Sequence, residues 1–135
     1  SDAILRAVRA YVSSHPSSCL TKNMGTQLYF SAMRHAAAMV GNSSSGIIEA
    51  ASFHLPVVNI GNRQRGREHG RNVIDVPCEQ ARILAAIRRA TTPAFRKKMQ
   101  GLRNLYGNGG AAERIVRVLS VVRLDQRLIT KRFED

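Results

Sequence analysis

The chain has 135 residues, a length typical of one domain, and 44% of them are hydrophobic, enough for a buried core. The composition therefore excludes an intrinsically disordered segment. No apolar run approaches the roughly 18 residues of a membrane-spanning helix. The first residues lack the basic stretch and apolar core of a secretion signal. We therefore expect a cytoplasmic protein that contacts no membrane.

The formal net charge is +12, from 21 Lys and Arg against 9 Asp and Glu. Such a charge favours an anionic partner, such as nucleic acid, a phosphorylated ligand or an acidic surface. An arginine-rich composition with no functional meaning would give the same value. Because the basic residues are dispersed and aromatic residues make up 5%, a base-stacking surface is poorly supplied and nucleic acid is not the expected partner.

Cysteines and histidines show no metal-like spacing. Cys19 and Cys78 stand far apart, so we expect two reduced, partly buried thiols rather than a disulfide. No Ser-His-Asp or Cys-His arrangement is visible either. The sequence thus predicts neither a metal site nor a cofactor.

The first part of the chain predicts helix, strand and helix. An apolar stripe at helical spacing predicts a helix over residues 2–14, and Pro16 stops it. Residues 19–24 predict a short strand. A second helix, capped by Thr26, is expected over residues 26–35.

The central stretch has the most informative pattern. Apolar residues 37–40 predict a strand, residues 47–53 a short helix, and residues 57–60 a second strand. Between the first strand and the helix lies a segment that we call the serine turn, consisting of Ser43, Ser44, Ser45 and Gly46. A parallel crossover through a short helix is right-handed and places this turn at the carboxyl end of the first strand. Ligands of open α/β sheets bind at that edge.

The rest of the chain predicts an arginine-rich loop at 62–71, a strand at 72–76 and a helix at 79–90. A helix starts at Thr92 and Pro93, and a long helix of about 22 residues, near 33 Å, covers 111 to 132. The order predicts an α/β fold, with a Rossmann-like open parallel sheet of four strands and helices on both faces.

Two domains follow from this order. We expect residues 1–110 to form a Rossmann-like domain that lacks its first strand, because the chain starts with a helix where such domains start with a strand. Residues 111–135 form the long C-terminal helix, which we expect to pack on an absent domain or on a partner.

The serine turn follows a strand and opens a helix, so its backbone N–H groups and the helix dipole favour an anion, and its hydroxyls add donors for phosphate oxygens. A serine-rich N-cap with no ligand would explain the same residues. The pattern is neither a P-loop nor a GxGxxG fingerprint, so it does not name a nucleotide.

An acid and a basic loop accompany the turn. Glu49 follows Ser45 by four residues, one too many for a capping box, so we expect it to be free to hold ribose hydroxyls. A carboxylate favoured by the helix dipole is the alternative. Arg63, Arg65 and Arg67 follow the second central strand and therefore lie at the same edge. One or two of them can pair with a pyrophosphate, and the residues alone do not choose among them.

Taken together, these segments closely resemble the UDP-N-acetylglucosamine 2-epimerase family. The matching segments are VGNSSSGIIEA at 40–50, PVVNIG at 56–61, RQRGR at 63–67 and NVI at 72–74. The resemblance is strongest to the hydrolysing branch, which makes N-acetylmannosamine for sialic-acid-type sugars. It implies a GT-B arrangement of two Rossmann-like domains, of which this chain resembles most of the second.

The resemblance implies a role for each site residue. The serine turn matches the turn that binds the diphosphate of UDP. Glu49 matches the acid that holds the ribose hydroxyls, and Arg63 matches the arginine near the UDP. Met24 matches the position beside the uracil, where backbone groups make the contacts.

The resemblance also implies what this chain lacks. The catalytic acids of the family belong to its first domain, and its active-site histidine lies near the start of the second, in regions absent here. Ala51 and His54 stand where relatives often have proline and glycine. The implied reaction is anti elimination of UDP to a 2-acetamidoglucal, followed by addition of water with inversion at C2. We expect this fragment to contain no catalytic residue and to be inactive alone.

The implied partners are UDP or UDP-GlcNAc, the absent N-terminal domain and a further copy of the chain in a homo-oligomer. Two alternatives remain: a nucleotide-sugar glycosyltransferase half of GT-B type, and a basic module that binds nucleic acid.

Overall fold

A computed structural model describes residues 2–123, 125, 126 and 130 of the chain. The chain divides into two compact units, residues 1–36 and 37–135. None of the described helices has both the length and the apolar composition needed to cross a bilayer.

The N-terminal unit contains two helices, α1 (Asp2–Ser14) and α2 (Gly25–His35), as the sequence predicts. The strand predicted at 19–24 is wrong, because these residues lie in turns and irregular backbone. A strand needs a neighbour to complete its hydrogen bonds, and here Leu20 stays 46% exposed. Asn23 Oδ1 instead accepts a 2.8 Å hydrogen bond from the Gly25 N–H group at the start of α2. The expected cap by Thr26 is therefore also wrong.

The larger unit contains a parallel sheet of three strands in the order β1, β2, β3. Its elements follow the sequence order: β1 (Met39–Gly41), α3 (Ser45–Ile48), a 3₁₀ turn (Ala50–Phe53), β2 (Val57–Ile60), β3 (Val73–Val76), α4 (Gln80–Ala90), α5 (Pro93–Lys97) and α6 (Ala111–Val121). The prediction of an open parallel α/β sheet is confirmed, with three strands in place of the expected four.

The central strand β2 is buried on both faces. Val58, which is 0% exposed, packs in one cluster with Ala86 and Ala90 of α4. Val57, 2% exposed, points to the opposite face, where α3 approaches it. Alternating side chains of one strand thus contact helices on both sides, which explains its uninterrupted apolar run.

The approach of α3 to β2 depends on Gly46. A Cβ atom at this position would lie 2.9 Å from Val57 Cγ1 and 3.7 Å from the sulfur of Met39. Carbon atoms do not pack this closely without displacement. The glycine therefore fixes how near the helix lies to the sheet.

Asn72 joins the starts of β2 and β3 from a completely buried position. Its Nδ2 group donates a 3.0 Å hydrogen bond to the Leu55 carbonyl. Its own backbone carbonyl accepts a 2.8 Å hydrogen bond from the Val57 N–H group. One residue therefore holds the end of the arginine-rich loop against the segment that leads into β2.

The C-terminal helices confirm one expectation and correct another. Thr92 caps α5, since its Oγ1 accepts a 3.2 Å hydrogen bond from the Phe95 N–H group, with Pro93 in the first turn. However, α6 ends at Val121, because Val122 has extended backbone angles. A helix of 22 residues is therefore wrong, and β-branched residues at this point favour the end of the helix. Residues 124, 127–129, 131 and 132 of the predicted range lie outside the described residues.

The described α6 has eleven residues, none of them buried, and Ile115 is 57% exposed. The helix has an exposed apolar side, and none of the described residues covers it. The division between a domain ending at residue 110 and a C-terminal segment stays a prediction. Cys19 and Cys78 are free and exposed, so their expected partial burial is wrong.

Replacing Gly46 with alanine should lower the free energy of unfolding by about 1–2 kcal/mol, because the added methyl group is too close to Val57. This steric cost exceeds the stabilisation that the higher helix propensity of alanine provides. Urea denaturation followed by circular dichroism measures the change. Ser44→Ala is the neighbouring control, since this hydroxyl makes no capping bond. Equal stability of Gly46→Ala and the parent chain would contradict the close packing of α3 on β2.

Asn72→Ala should cost about 1–3 kcal/mol, because the Leu55 carbonyl would remain buried without its donor. Thermal and urea unfolding of this variant, compared with the exposed control Asn62→Ala, provide the test. Similar values for both variants would show that the buried amide does not hold the two strand starts together.

Candidate functional site

Two polar segments meet at the carboxyl edge of the sheet. The serine turn follows β1, and the arginine-rich loop follows β2, which is the parallel neighbour of β1. Parallel neighbours have their carboxyl ends at the same edge, where the ligands of open α/β sheets bind. The order of the elements therefore places turn and loop side by side.

Direct hydrogen bonds join the loop to the turn. Arg63 Nη1 donates to the Asn42 carbonyl at 3.1 Å, and Gln64 Nε2 donates to the same oxygen at 2.8 Å. Asn42 immediately precedes Ser43. The arginine loop and the serine turn are thus held together through one backbone oxygen.

Hydrogen bonds within the serine turn hold its shape. The Ser43 carbonyl accepts from the Gly46 N–H group at 3.1 Å, and Ser43 Oγ accepts from the Ser45 N–H group at 3.3 Å. Ser44 occupies the N-cap position of α3, and its side chain makes no capping bond. Because α3 has only four residues, few peptide dipoles are aligned and the helix dipole adds little. Because the Ser45 and Gly46 N–H groups are bonded within the turn, an anion here would depend chiefly on serine hydroxyl donors.

Glu49 is not free of the turn, so that expectation is wrong. Its Oε2 atom accepts a hydrogen bond from Ser45 Oγ. The spacing of four residues, which excludes a capping box, is also the spacing that brings two helical side chains together on one face. A carboxylate has acceptor sites on both oxygens, so this contact leaves Oε1 able to accept from another donor.

Among the three arginines, Arg63 is the one whose guanidinium is hydrogen-bonded to the turn in the described structure. Arg65 and Arg67 line a cleft of about 270 Å³ farther along the same loop, together with His69 and Asp75. The residue pattern alone did not distinguish these arginines, and only the family resemblance pointed to Arg63. The hydrogen bond to the Asn42 carbonyl now distinguishes Arg63 from the other two.

Sequence reasoning missed a group of polar residues that anchors the arginine loop. Gln64 is only 6% exposed, and its Oε1 atom is buried with no hydrogen-bond partner among the described residues. Asn59 Nδ2 donates to Asp75 Oδ1 at 2.7 Å, and Asp75 Oδ2 lies 2.9 Å from His69 Nε2. These contacts connect β2, β3 and the loop. In the sequence, these contacts are indicated only by one polar residue within each of two short apolar strands, Asn59 in β2 and Asp75 in β3.

Met24 belongs to the N-terminal unit. It is half-buried and occupies the N-cap position of α2. Its role beside a uracil stays a prediction. Within the described part of the chain, no group of three or more His, Cys, Asp or Glu residues could hold a metal ion.

Fold and site first define a class. The chain is an α/β protein in which a hydroxyl-rich turn, an acid and an arginine gather where the parallel strands end, a position at which such folds bind ligands. Comparison with known proteins then gives the family. A sequence profile described as UDP-N-acetylglucosamine 2-epimerase matches residues 1–120. The chain belongs to this family.

Curated relatives agree with the profile. The chain is 37% identical over 128 residues to a UDP-N,N'-diacetylbacillosamine 2-epimerase (hydrolyzing) of Legionella pneumophila, covering 95% of this chain and 33% of the relative. It is 33% identical over 119 residues to the polysialic acid biosynthesis protein P7 of Escherichia coli, covering 88% and 30%. A GDP/UDP-N,N'-diacetylbacillosamine 2-epimerase (hydrolyzing) of Campylobacter jejuni is 54% identical over 56 residues, covering 42% and 15%. The chain spans about a third of the length of the first two relatives.

Gln64→Leu should lower the free energy of unfolding by about 0.5–1.5 kcal/mol, since the apolar leucine side chain cannot donate to the Asn42 carbonyl, which keeps its bond from Arg63. Heteronuclear NMR should show shifted amide signals in the serine turn as well as in the loop. The exposed Gln100→Leu provides a matched control. Shifts confined to the loop would show that the turn does not depend on this bond.

Proposed function

We propose that this chain is the UDP-binding, carboxyl-terminal part of a hydrolysing UDP-N-acetylglucosamine 2-epimerase. The observation that supports it most is the pair of hydrogen bonds from Arg63 and Gln64 to the Asn42 carbonyl. These bonds hold a guanidinium at the residue that precedes the three serines, in a chain that belongs to the 2-epimerase family. A nucleoside diphosphate has the negative charge and the acceptor oxygens that such a group of donors suits.

In this proposal the serine turn, from Ser43 to Gly46, donates to the diphosphate. Arg63 keeps the guanidinium N–H groups that the Asn42 carbonyl does not use, and a guanidinium has five N–H donors in all. It can therefore stabilise the turn and contact a phosphate oxygen together. Glu49 accepts from the ribose hydroxyls through the oxygen that does not bind Ser45. Backbone groups at Met24 contact the uracil.

The proposed reaction belongs to the whole enzyme. Anti elimination of UDP gives a 2-acetamidoglucal, and addition of water with inversion at C2 gives N-acetylmannosamine. This chain contributes the groups that hold the leaving UDP, whereas the acids that move protons belong to the first domain. We therefore propose that the chain is inactive alone. UDP-GlcNAc is the proposed substrate, and the names of two relatives make UDP-N,N'-diacetylbacillosamine the second sugar nucleotide to test.

The remaining partners are also part of the proposal. The exposed apolar side of α6, which includes Ile115 and Leu119, suits contact with the first domain or with a second copy in a homo-oligomer. The assembled enzyme would use no cofactor and act in the cytoplasm.

Glu49→Ala should weaken the binding of UDP by about 1–3 kcal/mol, because two ribose hydroxyls lose their charged acceptor. A heteronuclear NMR titration of the chain with UDP measures the affinity, and UMP serves as the ligand without the second phosphate. The parent chain should show signals that shift at the serine turn, Glu49, Arg63 and Met24. Glu79→Ala, an exposed acid on the edge of α4, is the charge-matched control.

Unchanged affinity of Glu49→Ala would remove this residue from the site. Shifts spread over the basic surface, stronger with a short RNA and steeply weaker in salt, would favour a nucleic-acid module instead. A glycosyltransferase half would be identified in the whole enzyme by transfer of the sugar to an acceptor, with no reducing N-acetylmannosamine formed.

A further inference from the structure

A second cleft lies at the opposite edge of the sheet. Its volume is about 800 Å³, and its walls come from the 3₁₀ turn, residues 102–109 and the first turn of α6. His54, which lines it, stands three residues before β2 begins. The amino ends of the strands are therefore close to this cleft, whereas the serine turn follows a carboxyl end. No residue of the serine turn is among its lining residues.

Asn104 gives the cleft a fixed wall. Its Nδ2 group donates to the Ile48 carbonyl at 2.8 Å and to Ser52 Oγ at 2.7 Å, while its Oδ1 atom accepts from the Tyr106 N–H group at 2.9 Å. The segment after α5 is thereby held against α3 and the 3₁₀ turn. All polar atoms of this amide are used for structure, so the shape of the cleft does not depend on a ligand.

Among the described residues, the lining of the cleft is basic and contains no acid. Its ionisable side chains are His54, Arg103 and Arg114. Within the described residues, no hydrogen bond or ion pair engages either guanidinium group. Glu113 lies next to Arg114 in the sequence but does not line the cleft. Two unpaired cations in a concave surface concentrate a positive potential there.

A glycine-rich loop leaves accessible backbone on one side of the cleft. Gly107 and Gly109 line the cleft with φ values of +120° and +90°, and a Cβ atom at either position would meet nothing within 4 Å. A ligand can therefore reach the backbone here. The loop leads into α6, a helix of eleven residues, and Arg114 lies one turn inside it. The amino end of this helix adds to the attraction of the two guanidinium groups for an anion.

We propose that this cleft binds a small molecule through a phosphate group, held between Arg103 and Arg114. The guanidinium fork matches phosphate oxygens bidentately, so two of them can hold a dianion. The imidazole of His54 supplies a further N–H donor at the same wall. The volume lies in the range of small-molecule sites, about 300–1,000 Å³, which leaves room for an organic group beside the phosphate. The site is separate from the one proposed for UDP and does not rest on it.

Titration of the whole chain with inorganic pyrophosphate, followed by heteronuclear NMR, tests this site. Ionic strength is held constant with chloride, so that a general salt effect does not shift the signals. We expect saturable shifts at Arg103, Gly107, Gly109 and Arg114. The double variant Arg103→Ala/Arg114→Ala should weaken pyrophosphate binding at this cleft at least tenfold. Arg103→Lys/Arg114→Lys, which keeps the charge and loses the forks, should give an intermediate loss.

A control pair separates a site from net charge. Arg6→Ala/Arg9→Ala removes two exposed arginines of α1 and the same charge, and it should leave the affinity unchanged. Equal weakening by both pairs would assign the effect to net charge and overturn the proposal. So would the absence of saturable shifts at the cleft. If Ser43→Ala/Ser44→Ala instead abolishes all pyrophosphate shifts, the anion binds only in the serine turn, and the second site is rejected while the proposed UDP site is supported.

Discussion

The burial of β2 on both faces is the constraint from which the larger unit is built. Val57 and Val58 point in opposite directions, so each must be covered by a different element, α3 on one side and α4 on the other. At roughly 1.5–3 kcal/mol for each fully buried aliphatic side chain, leaving either one in water would cost a large part of the stability of a small domain. The short crossover can satisfy this demand only because Gly46 lets α3 lie against the strand.

That packing also determines where polar groups can gather. Once β1 and β2 are parallel neighbours, the segments that follow them share an edge, and the Asn42 carbonyl becomes the point where they meet. The buried Gln64 amide makes this contact from the protein side, while Arg63 makes it from the solvent side. A buried inner donor and an exposed outer donor on one oxygen give a site that is positioned but still accessible. The same division is seen in many binding loops on stable scaffolds.

Local patterns predicted much of this arrangement, and contacts distant in sequence accounted for the errors. The run from Pro56 to Gly61 and the glycine-serine turn predicted β2 and its edge, because both depend on neighbours along the chain. Residues 19–24 have the composition of a strand, yet a strand forms only beside another one. The bond from Ser45 to Glu49 is local and could have been expected from helical spacing. The contacts of Gln64 with Asn42 and of Asn59 with Asp75 span 22 and 16 residues, and no periodicity indicates such pairs.

The acceptor at position 42 is a backbone oxygen, and this has a consequence for how the edge can evolve. Every amino acid offers the same carbonyl, so the residue at 42 can drift without breaking the bonds from Arg63 and Gln64. Paired substitutions between 42 and 63 or 64 would therefore be absent from related sequences, although the three residues touch. Methods that infer contacts from correlated changes would overlook the junction that joins the two segments of the edge. Only the donor positions would show the restraint, as a preference for long side chains that can reach a fixed oxygen.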